Sequence, residues 1–175
     1  KELVSAELLQ RLSGTSGDYT LGSKIAVLDY ISHKSNPLIQ ISIPFMKEIA
    51  ERTEFCCLLT HLNHDSCIDL HHEVTKGVTL LSYGRGCPRP VYVGSSPKTI
   101  ISHLPKQGIL DYYRRFSTQL AEVGFAQNDQ EFLNKMKKIK KQGYYFSNGE
   151  VDPNVSGLSV PIKFSSKEPP LALTV

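Results

Sequence analysis

The chain has 175 residues, 40% of them hydrophobic and 21% charged, with a formal net charge of +3. That length suits one core-bearing domain with a small appendage, and the composition is that of a globular protein rather than a disordered or fibrous one. No apolar run reaches the roughly 18 residues needed to span a bilayer, no basic-then-apolar leader opens the chain, and so small a charge excludes strong nucleic-acid binding by overall field alone, which points to a cytoplasmic protein with no membrane partner.

In chain order, residues 7–13 and 18–21 are short apolar-polar runs around Gly14-Thr15-Ser16-Gly17, the signature of a hairpin. A hairpin this small cannot stabilise itself and belongs to something larger. Leu21, Ile25, Leu28 and Ile31 then recur at helical spacing from Gly22 until Asn36-Pro37 interrupts them. Leu38, Ile41, Phe45 and Ile49 mark a second helix, which Pro44 is expected to kink or restart because proline has no N–H to donate.

After Thr53 the texture becomes strand-like. Residues 55–62 and 67–72 flank Asn63-His64-Asp65-Ser66, a turn signal, and further strands are expected at 78–83 and 90–93. Ser95 or Ser96 is expected to cap a helix with Pro97 at its first position, running to about Leu104 before Pro105, and a short helix should follow over 107–116. The clearest helix is 129–142, capped by Asn128 or Asp129, supported by Glu131 and closed by Gly143. Strands at 144–147, 157–164 and 170–175 complete an α+β pattern: an antiparallel sheet with helices against it.

Three blocks carry a family resemblance. The segment PVYVGSSPKTIISHLP (90–105) resembles the motif after the first strands of IclR-family sensor domains, with Pro90, Val91, Gly94, Ser95, Lys98, Ile100, Leu104 and Pro105 in agreement. Tyr92 stands where His is usual, and Pro97 where Gly is usual. In the second block (139–162) Gly143, Tyr144, Glu150, Val155 and Pro161 match, whereas Ser147, Asn154 and Gly157 replace a common Asp, Gly and Cys. The third is Tyr19-Thr20-Leu21-Gly22, similar to the joint between the family's winged-helix wing and its linker helix. Residues 50–70 follow the family's helix-to-hairpin pattern between them.

The resemblance implies a GAF-like fold: a wing remnant over 1–21, a linker helix over 22–36 and an effector-binding domain over 37–175. It further implies the effector-binding part of a DNA-binding transcription regulator, without enzymatic activity and without a cofactor. The family's recognition helix lies upstream of the wing, so DNA would be contacted only through a winged-helix region that this chain lacks. Homodimers or homotetramers are implied as well. The effector positions carry over as Arg89, Ser95, Ser96, Ser147, Val155, Gly157 and Thr174.

The residues have their own logic beside this. Gly94, Ser95 and Ser96 allow close backbone approach at a helix start that attracts anions, although serines there commonly only cap the helix. Arg89 is either a fork for a ligand carboxylate or a solvent-facing loop arginine. The ligand so described is a small organic acid or sugar acid.

Two other chemistries are legible. His61, His64, Cys67, His71 and His72 look like zinc ligands, but in a hairpin turning at His64-Asp65, His61 lies opposite Ile68 and Cys57 opposite His72. His61 and Cys67 then fall on opposite faces, and four converging ligands are not available. Cys87, between Gly86 and Pro88, is a loop thiol of the kind a GAF-like reductase uses, with Arg85 and Arg89 nearby to lower its pKa but no resolving partner. The vicinal Cys56-Cys57 and the absence of Cys-x-x-Cys favour reduced thiols throughout. The lysines at 135, 137, 138, 140 and 141 read as the solvated face of the 129–142 helix.

Overall fold

The computed structural model describes residues 1–14, 17–75, 84–164 and 168–175. It divides into two compact units, Lys1–Ser42 and Ile43–Val175.

The first unit opens with a short helix, α1 (Glu2–Ser5), which the sequence pattern did not suggest. The expected hairpin follows as β1 (Leu9–Arg11) and β2 (Tyr19–Leu21), antiparallel with Leu9 opposite Leu21. Gly22 is required where it stands: a Cβ there would lie 1.9 Å from the Glu7 carbonyl oxygen. Next comes α2 (Lys24–Ser35), which buries none of its side chains.

The helix α3 (Pro37–Thr53) starts in the first unit and ends in the second. Asn36 caps it, its Oδ1 accepting from the Leu38 N–H at 3.0 Å. Of the kink or restart expected at Pro44, the restart does not occur, and the helix runs through it. Met46 and Ala50, buried two and six residues further on, anchor the second half and offset the lost hydrogen bond.

The second unit is built on a six-stranded antiparallel sheet of order β5-β4-β3-β8-β7-β6. Its strands are β3 (Cys57–Asn63), β4 (Ser66–Glu73), β5 (Pro88–Pro90), β6 (Tyr145–Asn148), β7 (Ser156–Ile162) and β8 (Leu171–Thr174). The β3–β4 hairpin turns at His64-Asp65 with His61 opposite Ile68, as expected, and His64 takes a left-handed φ of 49°. A register shift between Leu59 and Thr60 then places Cys57 opposite Glu73, not His72. Strict alternation cannot foresee such a bulge.

The strand expected at 90–93 is instead β5, already finished at Pro90. Pro88 and Pro90 have no N–H to donate, so this segment can only be an edge strand, and the chain then turns so that Val91 enters the core. The strand expected at 78–83 lies outside the described residues.

Three helices pack with the sheet: α4 (Ser95–Ile101), α5 (Lys106–Glu122) and α6 (Asp129–Gln142). α4 lies against β6, β7 and β8, and α6 packs on both α4 and α5. The core between them holds Ile100, Ile101, Phe132, Leu133, Met136 and Ile139. The expected end of the middle helix at Phe116 marks a distortion in α5 (φ −123°, ψ 21°), after which the helix continues to Glu122. α6 has the expected limits. Asn128 Oδ1 accepts from the Glu131 N–H at 2.9 Å, and Gly143 closes the helix at φ 82°. No helix among the described residues is long and apolar enough to cross a membrane.

Candidate functional site

α4 begins differently from the expectation. Gly94, at φ 87°, is the cap residue, and no side chain caps the helix. A Cβ at Gly94 would also meet Val151 Cγ2 at 3.0 Å, a second reason for glycine. Glu150 holds this corner: Oε2 accepts from the Gly94 N–H at 2.9 Å and from Lys98 Nζ, and Oε1 accepts from the Tyr145 hydroxyl at 2.9 Å. Lys98 is buried. Desolvation lowers its pKa, and the Glu150 carboxylate acts the other way.

Freed from capping, Ser95 and Ser96 face the sheet. Ser159 Oγ donates to Ser95 Oγ at 2.7 Å and lies 2.6 Å from Thr174 Oγ1, which in turn lies 2.9 Å from Ser96 Oγ. Thr60 Oγ1 is 3.3 Å from Ser96 Oγ and donates to Asp69 Oδ1 at 2.6 Å. All six side chains are buried, so a continuous line of hydroxyls crosses from β4 to α4 and ends on a carboxylate.

Three of the carried-over positions, Ser95, Ser147 and Thr174, lie around a fourth, Gly157. A Cβ added there would lie 2.9 Å from Ser95 Oγ, 3.4 Å from Ser147 Oγ and 3.6 Å from Thr174 Cγ2. Ser147 Oγ donates to the Gly157 carbonyl at 3.4 Å across the β6–β7 pair. Val155 sits two residues earlier, in the turn between those strands, where its carbonyl accepts from the Gly149 N–H.

Arg89 is not a solvent-facing loop residue. It is buried on β5, and its Nη2 donates to Asp69 Oδ1. His72 Nε2 lies 3.0 Å from Asp69 Oδ2. Burial alone would raise the Asp69 carboxyl, but the hydrogen bonds from His72 and Thr60 and the Arg89 charge outweigh it and hold the pKa below its ordinary value. The guanidinium therefore already serves an internal carboxylate.

Thr60, Asp69 and Ser159 were not singled out in the sequence. A signal exists for Asp69: it lies two residues after Cys67, on the face that a half-buried strand turns to its core.

Among the described residues no three His, Cys, Asp or Glu side chains gather as a metal site. His61 is exposed and Cys67 buried, on adjacent rungs of the hairpin. Cys87 is exposed, while burial pushes the Cys57 and Cys67 thiols up to about 12, away from the reactive thiolate.

A curled antiparallel sheet with helices against it, and a buried polar cluster at the start of one helix, make up a GAF-like fold. The chain matches the family described as "Bacterial transcriptional regulator IclR C-terminal" over residues 30–175, and it belongs to that family of transcriptional regulators. Among solved structures, an IclR homolog from Microbacterium hydrocarbonoxydans complexed with 4-hydroxybenzoate is similar at 21% identity and TM-score 0.77, over 99% of this chain and 71% of that one. The Thermotoga maritima IclR matches at 17% identity and TM-score 0.77 over 99% and 69%, and an IclR-family regulator from Brucella abortus at 18% and 0.78 over 99% and 64%. These likenesses are in fold. No curated protein matches the chain in sequence.

Proposed function

We propose that this chain is the part of an IclR-type regulator that senses a small organic acid or sugar acid and thereby controls operator binding of the full-length protein. The observation that carries the reading is the gathering of Ser95, Ser147 and Thr174 around the side-chain-free Gly157. Buried hydroxyls both donate and accept, so a hydroxylated ligand exchanges bonds with them at little net cost. With Ser147 in place of a common Asp, an anion meets no fixed negative charge from that position. The fold neighbour that carries 4-hydroxybenzoate supports a carboxylate as the ligand class. Contact with DNA belongs to a winged-helix region outside this chain, the chemistry is binding without turnover, and the cytoplasm is the compartment that suits such a regulator.

The test is a thermal-shift screen on the chain as it stands. A ligand present at about 100 times its Kd adds roughly 2.7 kcal/mol of stability to the folded state. Carboxylated metabolites are expected to raise Tm more than their neutral analogues, and Ser95→Leu is expected to abolish the rise while leaving the domain folded. A screen led by neutral aromatics or amines defeats the reading.

Assembly belongs to the same proposal. Val27, Leu28, Tyr30 and Ile31 of α2 are 52%, 46%, 63% and 51% exposed, an apolar surface larger than isolated solvent-facing residues account for. A symmetric homodimer, or a homotetramer built from it, covers such a surface. Light scattering at micromolar concentration is expected to give at least twice the chain mass, and a monomer counts against it.

A further inference from the structure

A second site opens elsewhere in the sensor unit. A cavity of about 450 Å³ lies between α4, α6, β6 and the loop that follows α5. Its volume is that of a small-metabolite site. Three lysines line it, Lys98, Lys135 and Lys138, against one carboxylate, Glu150, so the wall carries a surplus of positive charge. Glu150 is already committed to Lys98, Gly94 and Tyr145.

The cations differ in what they have left to give. Lys135 donates to the Phe125 carbonyl and pairs with Glu131 at 2.9 Å. Lys138 and Gln142 stand one turn apart on the same face of α6, and among the described residues neither has a hydrogen-bond or ion-pair partner. Together they present an ammonium and an amide N–H to whatever enters.

The remaining wall is apolar. The Phe125 ring lies 4.0 Å from Lys98 Nζ and 5.1 Å from Lys135 Nζ, measured to its centroid, so lysines already occupy it. Phe146 and Val123 stay 55% and 46% exposed, and Ile139 adds to the apolar lining. An anionic head on a flat apolar body satisfies both parts of this wall, whereas a bare inorganic anion leaves the apolar part wet.

We infer that this cavity binds a small aromatic carboxylate, its carboxylate on Lys138 and Gln142 and its ring against Phe146 and Val123, at a site separate from the hydroxyl cluster around Gly157. The experiment is an amide-resolved NMR titration of the chain with benzoate at neutral pH, with benzamide and inorganic phosphate as parallel arms. Saturable benzoate shifts are expected at residues 123–125, 138–142 and 145–146. Lys138→Glu is expected to weaken binding by about tenfold or more, the scale of one charge-assisted contact. Lys137→Glu, which makes the same change in net charge next to the cavity, is expected to leave affinity unchanged.

Equal binding of benzamide or phosphate overturns the ligand class. Equal weakening by Lys137→Glu shows a general field effect and overturns the site. Absence of saturation below about 20 mM, too weak for any useful site on the affinity scale, overturns it too. Benzoate shifts centred on Ser95, Gly157 and Thr174 overturn it in favour of the hydroxyl cluster. The Ser95→Leu thermal-shift result tests that cluster separately, so failure of one site is distinguishable from failure of the other.

Discussion

Replacing Asp69 with alanine is expected to lower the unfolding free energy by about 3–5 kcal/mol, because it leaves the Arg89 guanidinium buried without its carboxylate. Asp69 also accepts from Thr60 and pairs with His72, so one deletion takes a bond from three side chains. Chemical denaturation at neutral pH measures the loss. The double change Asp69→Leu with Arg89→Met removes both charges and is expected to recover much of it, since apolar replacement of a buried pair is often neutral. A double variant no better than Asp69→Ala would mean the geometry of the pair matters beyond its charge. The pH dependence carries a sign. The folded-state pKa of Asp69 is depressed, so its contribution is fully present above the unfolded value of about 3.9 and is lost as pH falls through the lower folded value. Asp69→Ala is expected to lack that component of acid destabilisation.

Glu150→Ala is the second large effect, at about 3 kcal/mol near neutral pH. Lys98 has a side chain only 3% exposed, and Glu150 is its counter-charge as well as the acceptor that fixes the Gly94 N–H. Here too a depressed pKa makes stability rise with pH, but in the alkaline range, because the group is an amine. Burial already depresses the Lys98 pKa in the folded state, and loss of Glu150 depresses it further. Between that value and the unfolded one near 10.4, the unfolded chain binds the extra proton, so stability rises with pH. The variant is therefore expected to recover part of its loss as pH rises from neutrality toward the unfolded value, read from urea unfolding at each pH. Loss that is flat across that range would place the damage at the α4 start rather than at the lysine.

Much of the fold was legible because it rests on local rules. The 129–142 helix carried its own cap, first-turn acid and terminal glycine, and it has the limits those signals gave. The hairpin at His64-Asp65 was legible for the same reason. What failed was tertiary. The bulge at Leu59/Thr60 shifts one end of the hairpin, and two prolines confine the segment at 88–90 to a sheet edge. Pro44 is tolerated because residues beyond it are anchored in the core.

The candidate site divides along the same line. Ser95, Ser147, Gly157 and Thr174 could be proposed together because a family motif places them, and they do meet. Asp69, Thr60 and Ser159 complete the network through cross-strand register, which no local pattern encodes. Of the two readings of Arg89, the solvent-facing one fails for that reason: its burial depends on a partner 20 positions away.

The line of hydroxyls has a direction. A carboxylate only accepts, so the 2.6 Å bond to Asp69 claims the single Thr60 proton and leaves its 3.3 Å contact with Ser96 weak. Ser159 gives its proton to Ser95, so Thr174 must give to Ser159 and Ser96 to Thr174. Each step of this relay follows from the one before, and it ends with a Ser95 proton that no described neighbour takes. An incoming acceptor group can take that proton without breaking a link of the relay.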